Sequence, residues 1–371
     1  MQNYIDAANQ FRLQAFQAVV DRDAARAIRL FEMAFSSAMM AGDLLMPMRF
    51  ALFSKATLPM PLAAVEHVLV QMSQGSVFFI ADFDLVSHPI TEFSRFPMVG
   101  KFFADLAREL PPGQTFGCVV DLGDGDDRGD YPRIAYSSAR SDAVLVPDPF
   151  LHMSENYAEV RDYAAHRARP WQERQDLVFW RGTAGGRILA PLPEGDFDIH
   201  DPNNWRWVQR LHLCSVSRNS RYGDHLDVGL TKFHQIEQQS MRERLVAAGF
   251  VRAELNKARF FDYKYLIDID GWSNAWSLLD KLIMGAVVLK VESGLGYRQW
   301  YYDRLIPWRH YIPIAADLSD FDERIGWALS HSDDCAEIAA NAAAFGESIQ
   351  LEPELAAARQ RVKMILQPIV G

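Results

Sequence analysis

The chain has 371 residues, 49% of them hydrophobic, and a formal net charge of −10 at pH 7. That length exceeds one typical small core and predicts two domains. The acidic balance argues against a general nucleic-acid role, which needs a basic face, but leaves room for a local basic pocket around one diphosphate.

The start, Met1-Gln2-Asn3-Tyr4-Ile5-Asp6, has no basic stretch followed by an apolar core, so no signal peptide is expected. Residues 3–42 read as two helices, with Ile5, Ala8, Phe11, Leu13 and Phe16 forming the first apolar stripe. Acidic residues among the basic ones favour a packed hairpin over a membrane-surface helix. Residues 46–53 read as an apolar loop or short strand, 61–72 as a helix and 76–81 as a buried strand leading to Asp82 and Asp84. A helix is predicted over 99–110, ended by Pro111, Pro112 and Gly113, and a strand over 116–122. This alternation predicts a parallel, doubly wound half.

The strand at 116–122 runs into a glycine- and aspartate-rich loop holding Asp121, Asp124, Asp126, Asp127 and Asp130. A solvated loop, a calcium-type loop and plain turn chemistry all compete here. The EF-hand pattern fails, because no glutamate stands at the twelfth loop position. A carboxylate at a strand's carboxyl end is also where a general base sits. Residues 131–138 and 143–150 follow, then a helix over 158–169 and a domain boundary at Pro170-Trp171.

A strand over 176–180 opens into Arg181, Gly182, Thr183 and, further on, Arg187. Such a loop presents N–H groups, a hydroxyl and guanidinium groups to a phosphate, although a plain turn is the default and the Walker pattern is absent. A helix over 203–213, a strand over 226–231 and a helix over 242–248 fill the sheet. The stretch 261–314 then organises the half: a strand over 265–269, a turn at Asp270-Gly271, a helix over 273–284 closed by Gly285, and a buried strand over 286–291. The bland reading is an ordinary βαβ unit with Ser273 as helix cap. The functional one offers Gly271 for close backbone approach, Ser273 and Asn274 for hydrogen bonding, and free N–H groups at the helix start. Asp268 and Asp270 also suit a divalent metal, the less favoured reading in this context.

Among Trp300, Tyr301, Tyr302, Trp308 and Tyr311, core packing explains most, with one or two left for stacking on a sugar. His310 reads as a structural histidine. Helices follow over 322–330 and 334–345, then an amphipathic tail over 352–369. The ten histidines are scattered without zinc spacing, and Cys118, Cys214 and Cys335 suggest no disulfide framework. Together with the absence of a run of about 18 apolar residues, this predicts a cytoplasmic protein without a membrane span, peripheral association remaining open.

The runs K-Y-L-I-D-I-D-G-x-S-N-x-W, V-V-L-K-V-E-S and W-Y-Y-D-R-L-x-P-W-x-H-Y-I-P-I-x-x-D-L-S-D resemble glycosyltransferase family 90, densely over 263–320 and more weakly up to about 117. That family includes Rumi-type protein O-glucosyltransferases, capsule xylosyltransferases and bacterial lipopolysaccharide-A-type proteins; the lack of a signal peptide resembles the bacterial kind. The resemblance implies an α/β fold of GT-B type, two Rossmann-like domains facing across a cleft, with N-terminal helices and a C-terminal helix. It divides the chain into an acceptor-side domain over 1–165, a donor domain over 166–345 and a returning helix over 346–371. It implies an inverting, metal-independent transfer, with no cofactor, of glucose or xylose from a UDP-sugar to a hydroxyl of a glycan or lipopolysaccharide-type acceptor. Asp124 aligns with the family's base, Asp121, Asp126 and Asp127 staying open because the insertion departs from the family pattern. Arg181, Gly182, Thr183 and Arg187 resemble the donor-diphosphate loop, joined by Gly271, Ser273, Asn274, Lys281 and Glu292. Ser277 stands where animal members place an arginine. Two other classes remain: a nucleotide-sugar-binding protein without turnover, and a nucleotide-sugar epimerase, which the missing G-x-G-x-x-G fingerprint disfavours.

Overall fold

The structure, a computed structural model, describes residues 2–40, 48–87, 96–125, 127–186, 198–206, 208–234 and 236–369. It divides into two compact units, Met1–Met153 with Leu351–Gly371, and Ser154–Gln350.

In the first unit, α1 (Gln2–Val20) and α2 (Ala24–Met40) form a hairpin. Asp23 Oδ1 accepts the Arg26 N–H at 2.9 Å, capping α2. Phe31 and Phe35 of α2 pack on Phe50 of β1 (Met48–Phe53), with ring centroids 5.5 and 4.8 Å apart. The sheet continues with β2 (His67–Ser73), β3 (Ser76–Asp82), β4 (Phe116–Asp121), β5 (Arg133–Ala135) and β6 (Val144–Leu145), with α3 (Phe96–Arg108) between β3 and β4 and α4 (Pro149–Met153) after β6.

Two expectations are corrected here. Residues 61–72 are not helical: Ser73 pairs with Ser76 around a Gln74-Gly75 turn, and the hairpin carries β2 into the middle of the sheet. Strand β2 is buried on both faces, so its near-continuous apolar run lacks the alternation that marks a strand. This half is also not purely parallel. Strand β2 runs antiparallel to both β3 and β4, while β1 with β3, and β4 through β6, are parallel.

The second unit contains α5 (Ala158–His166), β7 (Gln175–Thr183), α6 (Gln209–Asn219), β8 (Leu226–Lys232), α7 (Gln239–Ala247), β9 (Tyr263–Asp268), α8 (Leu278–Ile283), β10 (Val287–Val291), β11 (Ile312–Ile314), α9 (Phe321–Ser330) and α10 (Ser332–Ser348). Among the described residues its sheet has five strands, all parallel, in the order β8-β7-β9-β10-β11. Numbered within the unit this is 2-1-3-4-5, so the chain reverses direction across the sheet between β7 and β9. Tyr265, Ile267, Val287, Leu289, Ile312 and Ile314 fill its core.

The sequence divides the chain at 165/166 and 345/346; the contact units divide at 153/154 and 350/351. Helix α5 joins the second unit because Tyr163 lies 4.5 Å from Phe261 and Arg161 donates to the carbonyls of Gly346 and Ile349. The chain then returns to the first unit as α11 (Leu351–Lys363) and β12 (Gln367–Pro368), which pairs antiparallel with Phe116 and Gly117 of β4. The tail is therefore helical only to Lys363. No helix among the described residues is long and apolar enough to cross a membrane.

Candidate active site

Ligands of open parallel sheets bind beyond the carboxyl ends of the strands, where the strand order reverses. Here that point lies past β7 and β9. A small open cavity stands there, lined by Gly186 after β7, by Asp270, Gly271, Trp272 and Ser273 after β9, by Ser293, Gly294, Leu295 and Tyr297 after β10, and by Trp205 and Gln209.

The predicted helix over 273–284 begins only at Leu278. Ser273, Asn274 and Ala275 are all buried while Trp272 is 48% exposed, a pattern no single helical stripe produces. The turn is therefore irregular, and what it offers a candidate ligand is side chains and loop backbone rather than a helix terminus. Ser273 Oγ, Asn274 Oδ1 and Nδ2, and Asp270 Oδ1 are buried without a hydrogen-bond partner in the protein. Such a concentration of unsatisfied groups is uncommon and calls for a ligand or water.

Arg210, at the start of α6, braces the turn from behind. Its Nε donates to the Asp270 carbonyl at 2.9 Å and its Nη2 to that of Ile269 at 3.2 Å, while Nη1 lies 3.4 Å from both the carbonyl and the hydroxyl of Thr183. Burial lowers the pKa of this guanidinium, with Asp270 and Asp268 opposing that shift. A β-carbon on Gly271 would stand 2.8 Å from Arg210 Nη2, so glycine is what admits the pinned guanidinium. Burial raises Asp270 to about 6, with Lys290 and Ser293 opposing. Asp268 is fully buried, with Lys281 Nζ at 2.7 Å and Lys290 Nζ at 3.5 Å.

Of the residues singled out in the sequence, Gly271 and Ser273 line the cavity and Asn274 is buried beside them. Arg181 does not. Its Nη2 pairs with Asp227 Oδ1 at 2.7 Å, its Nη1 donates to the Asp227 carbonyl at 2.8 Å and its Nε to the Ala253 carbonyl at 3.1 Å, so it seams β7 to its neighbours. Gly182 accommodates Trp180, whose ring would come within 2.5 Å of a β-carbon. Lys281 is held by Asp268 within the core, and Glu292 is exposed, its carbonyl accepting from Gln209 Nε2 at 3.1 Å. Arg187 and Asp126 lie outside the described residues. Sequence reasoning missed Arg210, Trp205 and Gln209; the only signal was an aromatic and polar cluster opening a segment read as sheet filler.

In the first unit, Asp124 is half-buried in the loop after β4. In the same loop Asp121 Oδ1 accepts the Gly123 N–H at 2.7 Å, and Asp127 accepts from Ser138 Oγ and from the Ala139 N–H at 2.9 Å. Beneath the loop Arg133, 1% exposed, donates to the Gly129 carbonyl at 2.8 Å and lies 3.2 Å from His67 Nε2. His67 Nδ1 in turn meets the Tyr131 hydroxyl at 2.7 Å.

The second unit has the strand order of the doubly wound α/β class, in which the reversal point is the usual place for a ligand. Residues 203–352 match the family model described as Glycosyl transferase family 90. Protein O-glucosyltransferase 2 of Danio rerio is 30% identical over 175 residues, which cover 47% of this chain and 29% of the relative. Protein O-glucosyltransferase 3 of Homo sapiens is 30% identical over 170 residues, covering 44% and 30%. An uncharacterized protein of Invertebrate iridescent virus 6 is 27% identical over 203 residues, covering 50% and 16%. The match thus spans less than a third of each of these relatives. A solved structure of Anabaena Alr3699/HepE in complex with UDP-glucose covers 60% of this chain and 53% of its own at 9% identity, with a TM-score of 0.33 that bears on neither fold nor function.

Proposed function

We propose that this chain is a glycosyltransferase that moves a sugar from a UDP-sugar to a hydroxyl of a glycan, lipopolysaccharide or other acceptor, with inversion and without a metal. The observation that carries the reading is the cavity at the β7/β9 reversal point, lined, Gly186 apart, by residues of the stretch that matches the family 90 model, with orphaned polar groups on Asp270 and Ser273 and on the adjacent Asn274. Trp205, Trp272 and Tyr297 offer flat apolar surface for the uracil or the sugar. Arg187 follows the lining residue Gly186 directly in sequence and is assigned to the diphosphate. Glucose is the favoured sugar, because the animal relatives are named O-glucosyltransferases; xylose is the second choice.

Asp124 is assigned the role of base. It takes the proton of the acceptor hydroxyl, the acceptor oxygen bonds to the anomeric carbon, and the bond from that carbon to the diphosphate oxygen breaks. UDP leaves with the electron pair, and a single displacement inverts the anomeric centre. The pairing of Asp268 with Lys281 and Lys290 supports metal independence, since two ammonium groups already neutralise that carboxylate. The three buried free thiols suit a reducing, cytoplasmic compartment.

The test is UDP release and thermal shift with UDP-glucose, UDP-xylose and UDP-galactose, each with and without manganese or chelator. A donor that stabilises the fold and is turned over supports the reading. Stabilisation without turnover under any acceptor condition favours a nucleotide-sugar-binding protein instead. No stabilisation by any donor overturns the donor assignment.

A further inference from the structure

Of the five aromatics between 300 and 311, the structure buries Trp300 and Tyr301 and half-buries Tyr302 and Tyr311, but leaves Trp308 40% exposed. Trp308 adopts a left-handed backbone, with φ of 62°. That conformation is rare for a bulky residue and persists only where its surroundings enforce it. The enforcement is visible: the Trp308 N–H donates to the Tyr311 carbonyl at 2.7 Å, the His310 N–H to the Ile306 carbonyl at 2.9 Å, and the Ile306 N–H to His310 Nδ1 at 3.0 Å. A tight turn thus holds an indole outward. Trp327 of α9 meets it edge to face at 4.8 Å.

These two rings line a groove with about 950 Å³ of open space, whose other walls are Arg309, Asp334, Glu337, Ile338 and Asn341. The groove shares no lining residue with the donor cavity. It also lies at the opposite edge of the sheet. The donor cavity follows the carboxyl ends of β7, β9 and β10. Trp308 immediately precedes the amino end of the parallel strand β11, and α9 runs back from β11 to bring Trp327 to that edge.

The lining selects the ligand. Flat indoles beside carboxylate, amide and guanidinium groups match the two faces of a pyranose: its axial C–H groups rest on an aromatic ring, and its equatorial hydroxyls hydrogen-bond to planar polar side chains. Arg324 covers one face of Trp308, its Cζ 5.2 Å from the centroid, and His331 stacks on one face of Trp327 at 4.6 Å, so the exposed remainder of the Trp308 ring is the surface left for a sugar and a further cation is disfavoured there. A nucleotide is disfavoured because Asp334 and Glu337 repel phosphate. We propose that this groove binds a neutral oligosaccharide, as a docking site for a glycan chain separate from the donor cavity. The inference rests on the groove alone and stands whether or not the donor assignment holds.

The experiment is calorimetric titration with cellohexaose, maltohexaose and xylohexaose, in the absence and presence of saturating UDP. At least one should bind saturably with a Kd on the order of 1 mM, a strength consistent with stacking on one or two exposed rings. Trp308→Gly suits the left-handed backbone and removes only the ring; Glu337→Ala sits on the exposed face of α10. Each should weaken binding at least about tenfold, a loss of about 1.4 kcal/mol, with circular dichroism and UDP binding unchanged. Saturable binding that both variants lose and that UDP does not compete for supports the proposal. No saturable binding of any of the three, binding that survives both variants, or binding displaced by UDP overturns it.

Discussion

Arg210 Nε donates to the main-chain carbonyl of Asp270 at 2.9 Å. One side chain on α6 thereby ties the turn after β9, while its Nη1 approaches Thr183 at the end of β7, so the two strands flanking the reversal point share a brace. The brace acts from behind the cavity, since Arg210 is not among its lining residues.

Removing that brace should loosen the turn that carries Ser273 and Asn274. Arg210→Met is expected to weaken UDP binding by about 1.5–3 kcal/mol, the worth of charge-assisted hydrogen bonds to the carbonyls. Gly271→Ala should act in the same direction by displacing the guanidinium. Titration calorimetry with UDP is the check, and parent-like affinity in both variants would place the donor elsewhere.

Asp270 gives a pH signature. Its folded pKa is raised to about 6 from 3.8, so the folded state binds more protons than the unfolded state between those values. Stability at this residue is therefore fully present below about 4 and is lost as pH rises through about 6. Asp270→Asn should raise the melting temperature at pH 7. The ionised carboxylate is the better acceptor for donor hydroxyls, so parent affinity for UDP should fall between pH 7 and pH 5, and the Asn variant should be flat across that range. A melting temperature unchanged by the substitution would contradict the burial argument.

Lys281 and Asp268 form a buried ion pair at 2.7 Å. Lys281→Met leaves a fully buried carboxylate with only the longer contact to Lys290, which should cost about 3–5 kcal/mol in urea denaturation. The double variant Asp268→Asn with Lys281→Met should recover most of that loss. If Lys281→Met instead folds normally and loses UDP binding, the lysine belongs to the donor site.

Arg181 and Arg187 should separate cleanly. Arg181→Ala breaks the bonds to Asp227 and Ala253 and should lower stability by about 1.5–3 kcal/mol, with UDP affinity retained in the folded fraction. Arg187→Ala should leave stability unchanged and weaken UDP binding by a similar amount. The reverse pattern in denaturation and calorimetry would restore Arg181 to the donor site.

For the base, Asp124→Asn should lower turnover roughly 10²–10⁴-fold with donor affinity nearly unchanged. Asp121→Asn and Asp127→Asn should instead disturb the loop, because those carboxylates accept from Gly123, Ser138 and Ala139. Proton NMR of the product from a UDP-α-sugar should show a β linkage; an α linkage would exclude single displacement.

The sequence by itself determined four of the five described strands of the second unit and the position of the turn after β9. Runs such as 265–269 and 286–291 are short, apolar and bounded by glycine, and Gly271, Ser273 and Asn274 stand in one local stretch whose chemistry needs no distant partner to be read. What only the tertiary structure decided was where each charged side chain goes. Arg181 looks like a phosphate ligand in sequence, but Asp227, forty-six positions later, takes it because β8 lies beside β7. Arg210 looked like filler and became the brace because the strand order brings the ends of β7 and β9 together. Residues 61–72 followed the same logic: a strand buried on both faces loses its alternation, and only pairing with β3 and β4 fixes it as β2. Local pattern encodes backbone preference and burial; the partners of a long polar side chain are set by the sheet order, which no short window of sequence contains.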